Sequence, residues 1–294
     1  MPNALLPQLT GRELTVDVAL RQPSIIAARI ASLADDQLLL PHFTHQLGAR
    51  VQGGGMLYST VTAANYYTRD DVEQRGPGDE YRTTAGVDPT PQLAAVEDWG
   101  AKVQIPDEYI IRNNVSYMDQ QTTQLANTIA RKLDERLLAK LDDVLTGESI
   151  VPGHSWMDVV TIGDPTTLTE SAALPSADLA GAQLAADVEE LGVKHDLLIV
   201  HPQEAFALKV TYAEKLDDML KSAGVEMVTN PRVTAGTAWT IQRSQVGTVG
   251  FEIGLTVDVI DDRHTRSKWV QAYVVPAIAI DRIQSAKKLT GLAA

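Results

Sequence analysis

The sequence predicts an α+β chain in which one long helix packs on an antiparallel sheet, with a separate α/β lobe between the helix and the last strands. Three patterns support this fold class. Apolar residues recur at spacings of four and three from Met118 to Val144, which is typical of a helix with one buried face. Apolar and polar residues alternate in 99–105 and in 253–259, which is typical of half-buried strands. Residues 176–208 favour a helix, a strand and a second helix.

The composition is that of an ordinary globular protein. The 294 residues are 44% hydrophobic, and apolar runs such as Leu197–Val200 fall far short of the ~20 residues that cross a bilayer. The N-terminal residues lack the charged start and apolar stretch of a secretory signal, so we expect an intracellularly made protein without a membrane anchor. Because the chain has no cysteine, disulfides, thiolate metal sites and cysteine nucleophiles are excluded.

The net charge of −13 is unevenly distributed. Residues 147–262 hold 18 acidic and 6 basic residues, a net charge of −12, whereas residues 263–294 hold 6 basic and 1 acidic, a net charge of +5. The acidity therefore lies in the middle lobe. Such a surface does not attract nucleic-acid phosphates. It suits a protein that encloses nucleic acid without adhering to it, and it equally suits solubility alone.

The first 47 residues predict an arm that has no core of its own. Prolines interrupt its short apolar pieces, at Pro2, Pro7, Pro23 and Pro41. The longest uninterrupted piece predicts a short helix that begins near Ser24.

Residues 50–105 predict two strands joined by a long polar excursion. A strand over Met56–Thr62 is rich in Thr and Tyr, and the return leg is the alternating strand Trp99–Ile105. Between them, Gly76-Pro77-Gly78 marks a turn. Because the tip holds almost no apolar residue, it cannot bury a core within its own subunit. We therefore expect the excursion to become ordered on a neighbouring subunit.

A long helix is predicted over Met118–Thr146, about 40 Å at ~1.5 Å per residue, with Gly147 ending it. Its core face is Leu125, Ile129, Leu133, Leu137 and Leu141, flanked by Met118, Thr122 and Val144. With one apolar face only, this helix should lie against a sheet.

The acidic lobe and the C-terminal strands complete the chain. The lobe has a buried strand at Leu197–Val200 and then a helix that begins with Pro202 and directs Ala205, Phe206 and Leu208 inward. Two long antiparallel strands, over 253–259 and 269–281, would form the sheet under the long helix.

No pattern for catalysis, cofactor binding or metal binding is present in the sequence. The histidines are His42, His45, His154, His195, His201 and His264. His42 and His45 lack a third ligand nearby, and the zinc, serine-hydrolase and phosphate-loop motifs are absent. Adjacent carboxylates such as Asp70-Asp71 fit solvated loops better than a catalytic cleft. We therefore expect no enzyme, no cofactor and no metal.

In this order the parts resemble the major capsid proteins of tailed bacteriophages, which share the Hong Kong 97-like fold. Met56–Val103 is similar to the extended E-loop of that fold, and Trp99–Asn113 to the entry to its spine helix. Gln121–Leu145 resembles the spine helix, His195–Leu208 the A-domain, and Glu252–Ile283 the peripheral-domain (P-domain) strands. The resemblance covers the chain after the arm and rests on the order of its elements.

This resemblance divides the chain into an N-terminal arm (1–49), the E-loop (50–105), the P-domain with the spine helix (106–150), the A-domain (151–250) and the C-terminal P-domain strands (251–294). It implies that the E-loop tip contacts a neighbouring subunit, through Glu73, Arg75, Gly76, Pro77, Gly78, Asp79, Glu80 and Arg82. We also expect intersubunit salt bridges to the acidic lobe from Arg263, Arg266 and Lys268.

The sequence departs from some members of the family in two ways. Members that cross-link their subunits covalently do so through an isopeptide bond from an E-loop lysine. Residues 51–101 contain no lysine, so we expect shells without such cross-links. Members with a built-in scaffold carry a long helical segment before the arm. Residues 1–47 are too short and too proline-rich for that role, so any scaffolding protein would be separate.

The implied function is structural: pentamers and hexamers of an icosahedral shell that encloses double-stranded DNA. The implied partners are further copies of the chain, a separate scaffolding protein, a portal and a decoration protein, without a membrane. The implied location is the virion, and the host cytoplasm during assembly. Two alternatives stay open. One is an encapsulin-like nanocompartment that holds an enzyme cargo, and the other is a monomeric or dimeric α/β enzyme.

Overall fold

The computed structural model describes residues 16–35, 38–145 and 147–293. Within these ranges the helices are α1 (Val16–Arg21), α2 (Pro23–Asp35), α3 (Leu40–Phe43), α4 (Asp107–Ile111), α5 (Val115–Val144), α6 (Pro175–Val188), α7 (Pro202–Tyr212) and α8 (Leu216–Ala223). The strands are β1 (Thr44–Gln46), β2 (Gly55–Ser59), β3 (Pro91–Ala95), β4 (Trp99–Pro106), β5 (Ile150–Pro152), β6 (Leu197–Val200), β7 (Glu226–Thr229), β8 (Thr237–Ile241), β9 (Gly247–Asp262), β10 (Ser267–Ala279) and β11 (Ala286–Thr290).

The first sheet has the strand order β1–β9–β10–β4. The long strands β9 and β10 form an antiparallel hairpin, β4 pairs antiparallel with β10, and β1 pairs parallel with β9. In the first half of β10 alternate residues are buried beneath the long helix, at Val270, Ala272 and Val274. The register of β10 shifts around Val275 and Pro276, where proline, which has no backbone N–H, is tolerated because the ladder is interrupted.

Helix α5 is the spine of the molecule. Its 30 residues span about 45 Å, and it begins after Asn114, whose side chain accepts the backbone N–H of Tyr117 at 3.1 Å. Its buried residues include Leu125, Ile129, Leu133, Leu137 and Leu141, together with Met118, Thr122, Ala126, Ala130 and Asp134. Its apolar face thus packs on the first sheet.

The second sheet has the order β5–β11–β8–β6–β7 and forms the A-domain with α6, α7 and α8. Strand β6, between β8 and the edge strand β7, is entirely buried, as its run of four aliphatic residues predicts. At the start of α7 the ring of His201 accepts the backbone N–H of Gln203 at 3.3 Å, and Pro202 occupies the first turn. A shared core joins this sheet to the spine. There Leu137 and Leu141 lie with Phe43 and Trp239, whose rings meet edge to face at 5.7 Å.

Three predicted segment boundaries need correction. The return leg of the E-loop is β3 (Pro91–Ala95), which pairs with β2. Trp99–Pro106 pairs with β10 and so belongs to the first sheet, and its alternating pattern reflects the face that it turns to the spine. The last strand, Ala286–Thr290, lies in the second sheet and not under the spine, since it pairs with β8 and β5. Gly147 does not end the spine helix with a left-handed residue; the backbone is already extended at Leu145.

The arm also differs from the prediction. Residues 1–15 lie outside the described residues, but α1 and α2 are packed on the subunit itself. Ile26 and Ile30 are 3% and 0% exposed and share a core with the spine, and Arg29 contacts Asp119 at 3.1 Å. Val16, Leu20, Ile26 and Ile30 are therefore part of the core that the spine shares with the first sheet. Among the helices of the described ranges, none is long and apolar enough to cross a membrane.

Candidate functional site

The E-loop hairpin begins with a short stem whose two faces differ. In the β2–β3 register, Met56 lies opposite Ala94 and both face the subunit, 9% and 6% exposed. On the other face Leu57 lies opposite Leu93, and these are 78% and 65% exposed. The stem is thus anchored on its inner side and presents an apolar cross-strand pair on its outer side.

Beyond the stem, the hairpin has little regular structure. It contains a single 3₁₀ turn at Ala63–Tyr66 and one bridge between Thr68 and Gly86. None of residues 70–90, all of which the structure describes, is buried. Val72 and Tyr81 are 81% and 75% exposed. The tip therefore has no core within its own subunit.

The predicted tip residues lie together and order one another. Arg82 pairs with Glu73 and, at 3.4 Å, with Asp70. The guanidinium of Arg75 lies 4.8 Å from the centre of the Tyr81 ring and donates to the backbone carbonyl of Asp79 at 2.9 Å. The predicted turn Gly76-Pro77-Gly78 is closed by the N–H of Asp79, which donates to the Gly76 carbonyl at 3.2 Å, and Gly78 has φ +93°. Glu80 is exposed beside this turn.

Two contacts hold the first half of the hairpin against its own subunit. The hydroxyl of Tyr67 donates to the backbone carbonyl of Glu190 in the A-domain at 3.2 Å. The N–H of Val61 donates to the carbonyl of Asp281 at 2.9 Å. Neither contact involves the tip, so the tip remains free for another molecule.

The three predicted intersubunit cations lie at the β9–β10 turn. Arg263 and Lys268 pair with Asp261 of the same hairpin, at 3.1 and 3.8 Å, so the sequence interpretation missed a partner that the turn itself supplies. Arg266 has the left-handed φ of +47° within the turn, and its backbone carbonyl accepts the N–H of Asp107.

Sequence reasoning missed a buried charge on the spine. Asp134 is fully buried; one carboxylate oxygen accepts the backbone N–H of Leu39 at 2.9 Å and the other binds Arg232. Burial raises the pKa of Asp134 although Arg232 opposes that shift. Its position in the sequence could have indicated this burial, because Asp134 lies four residues after Ala130 and three before Leu137, on the apolar face of the helix. Asp134 thus ties the spine to the segment after α2 and to the A-domain.

The A-domain contains a second buried charged group. Lys287 is fully buried, pairs with Glu189 and donates to the carbonyl of Glu148 at 3.3 Å. His195 is 6% exposed, and neither ring nitrogen has a hydrogen-bond partner in the structure. Burial, and next the charge of Lys287, lower the pKa of His195 to about 4. His195 is therefore neutral near pH 7.

Throughout the ranges 16–35, 38–145 and 147–293, no three His, Cys, Asp or Glu side chains come together as a metal site. Of the three residues of α7 predicted to face inward, Ala205 and Leu208 are buried, but Phe206 is 61% exposed because the buried face of α7 runs through Ala205, Leu208 and Ala207. Phe206 lines an open groove with Met157 and Ile162, on the outside of the A-domain.

Comparison with known proteins decides the family. The family described as phage capsid protein matches the chain over residues 89–288. The chain belongs to the phage capsid protein family. A search of curated protein sequences finds no significant match. The fold of this capsid protein is Hong Kong 97-like, as the sequence pattern predicts, and its family consists of structural shell proteins of the virion and not of enzymes.

Solved structures agree on the fold at low sequence identity. A protein of Microbacterium phage Oxtober96 superposes with a TM-score of 0.61 at 9% identity, over 86% of this chain and 90% of that one. The capsid of Myoviridae phage XM1 gives a TM-score of 0.55 at 13% identity, over 97% and 95%. The virus-like particle from Pyrococcus furiosus gives 0.60 at 12% identity, over 90% and 98%.

Proposed function

We propose that this capsid protein assembles into pentamers and hexamers of an icosahedral shell that encloses double-stranded DNA, with each E-loop lying across a neighbouring subunit. The observation that carries the proposal is the hairpin itself. Its tip is ordered by its own polar contacts, buries nothing, and extends from a stem whose outer face exposes Leu57 and Leu93. Such a surface gains stability only by burial against another chain.

Charge supports the enclosure of DNA. The net charge of −13, concentrated in residues 147–262, keeps the protein from binding phosphates, so packaged DNA would remain loosely held. With Arg263 and Lys268 already paired inside the subunit, Arg266 is the member of the predicted trio that we propose pairs with the acidic lobe of a neighbour. A single exposed pair contributes ~0–1 kcal/mol, so it would matter only through repetition over the shell.

A nanocompartment is the second candidate. The virus-like particle from Pyrococcus furiosus has the same fold at a TM-score of 0.60, so the fold alone fits both functions. Under the first proposal the further partners are a separate scaffolding protein, a portal and a decoration protein, with assembly in the host cytoplasm. Under the second, the contents are an enzyme cargo.

Electron microscopy of the purified protein tests the proposal. We expect closed shells of uniform size with vertices, built from rings of five and six. Particles isolated from infected cells should contain nuclease-protected double-stranded DNA. Shells that hold protein and no DNA would favour the nanocompartment, and a protein that stays monomeric or dimeric under all assembly conditions would contradict shell formation.

A further inference from the structure

The base of the E-loop hairpin is clamped to the spine helix through a single carboxylate. Glu97 lies between β3 and β4, and its side chain is 22% exposed. Arg136 binds it with two parallel hydrogen bonds, from Nε and Nη2, each 2.7 Å long. Lys140 lies 3.2 Å from the same carboxylate, and the indole N–H of Trp99 donates to it at 3.3 Å. These donors hold the pKa of Glu97 down at about 2, chiefly through Arg136.

The spine presents these cations as a row. Lys132, Arg136 and Lys140 recur every four residues and so lie along one strip of α5. Lys132 sits over the ring of Trp99, 5.0 Å from its centre. Lys140 also donates to the carbonyl of Ile278 in β10 at 3.4 Å. The strip therefore contacts the hairpin base at two side chains and the first sheet at one carbonyl.

The backbone at the same point is tied to the irregular part of β10. The N–H of Glu97 donates to the carbonyl of Pro276 at 3.0 Å, where the register of β10 shifts. The N–H of Val96 donates to the carbonyl of Gly54 across the base of the stem at 3.2 Å. Glu97 therefore has two attachments. Its backbone is bonded to β10 at the register shift, and its side chain fixes this base of the hairpin to the spine helix.

We propose that Glu97 is a positioning residue that sets the direction of the E-loop relative to the spine helix, and with it the geometry of contact between subunits. This rests on the proposed intersubunit role of the E-loop. The stem of five residues per strand is about 17 Å long, so a rotation of ~10° at its base displaces its end by about 3 Å. That displacement exceeds the tolerance of a hydrogen bond.

Glu97→Gln and Arg136→Gln test the clamp from its two sides. Both residues lie at the protein surface, so the core is left intact. Hydrogen–deuterium exchange of the unassembled subunit should become about tenfold faster in 54–61 and 90–97 for either variant, and stay unchanged in α5. The double variant should exchange no faster than Glu97→Gln alone, because Arg136 acts on the hairpin through Glu97. Glu226→Gln, which removes a carboxylate bound by Arg243 in the A-domain, should leave the hairpin unaffected.

Shells formed by each variant supply the second measurement. We expect Glu97→Gln and Arg136→Gln to give a broad distribution of sizes with open or irregular particles, whereas Glu226→Gln gives the uniform shells of the parent protein. Unchanged exchange in the stem would overturn the clamp. Faster exchange with unchanged shells would overturn its role in assembly. If the parent protein forms no shells, the proposed function fails separately, and the exchange measurement still decides whether Glu97 holds the hairpin.

Discussion

Replacing Leu137 by alanine should destabilise the subunit by about 4 kcal/mol. Leu137 is fully buried in the core shared by the spine, Phe43 of α3 and Trp239 of the A-domain sheet. Removal of three carbon atoms costs about 2.5 kcal/mol at ~0.8 kcal/mol per buried carbon. The cavity adds about 1–2 kcal/mol, because neighbours from a helix and two sheets cannot move in to fill it.

Urea denaturation of the unassembled subunit, followed by tryptophan fluorescence, measures this loss. With a denaturant dependence of ~3 kcal/mol per molar for a chain of this size, the midpoint should fall by more than ~1 M. Leu184→Ala is the matched control, because Leu184 lies on α6 with 63% of its surface exposed and should cost no more than about 0.5 kcal/mol. If the two variants unfold at the same urea concentration, Leu137 does not occupy the shared core and the packing of the spine described above is wrong.

Three further predictions follow from buried charge and from composition. Asp134→Ala should cost about 1–3 kcal/mol in the same assay, because it leaves the buried N–H of Leu39 without the carboxylate that accepts it; a loss below ~0.5 kcal/mol would refute this. The pKa of His195 is about 4 when folded and 6.5 when unfolded, so the unfolded chain binds the proton first and stability should fall by up to about 3 kcal/mol from pH 6.5 to pH 4. His195→Gln should flatten that part of the pH profile, and an unchanged slope would exclude His195 as its source. Denatured mature shells should run as a single band near 31.8 kDa, since the chain has no cysteine and residues 51–101 contain no lysine; a ladder of multimers would contradict non-covalent assembly and point to Lys102.

Elements with a regular local period were predictable from the sequence. In the spine helix, in 253–259 and in β6, the order of apolar and polar residues over a short stretch is enough to indicate which side chains are buried. β3 was not predictable in this way, because Pro91 opens it and its partner β2 lies more than thirty residues away. The sheet that receives Ala286–Thr290 depends on pairing with β8, which a local pattern does not encode.

The candidate site likewise has one part that the sequence predicts and one part that it does not. The tip was predictable because Gly76-Pro77-Gly78 marks its turn and the residues around it are charged. The clamp was not, since Glu97 and Arg136 are distant in sequence and Glu97 stands in an ordinary acidic stretch. The one local signal was the spacing of four between Lys132, Arg136 and Lys140, which places them in a row along the edge of the apolar face of the helix. For Arg263 and Lys268 a nearby partner was available in the sequence: Asp261 lies on the same hairpin, two and seven residues away, and pairs with both.

The central claim is that the E-loop joins one subunit to the next. Excision of residues 70–86 tests it most directly, because the Thr68–Gly86 bridge holds the two cut ends close together and the removed segment buries nothing. The variant should keep the far-ultraviolet circular dichroism and urea midpoint of the parent subunit. Electron microscopy should then show parent shells, and no stable shells from the variant. Shells of unchanged yield, size and stability from the excised chain would contradict the claim.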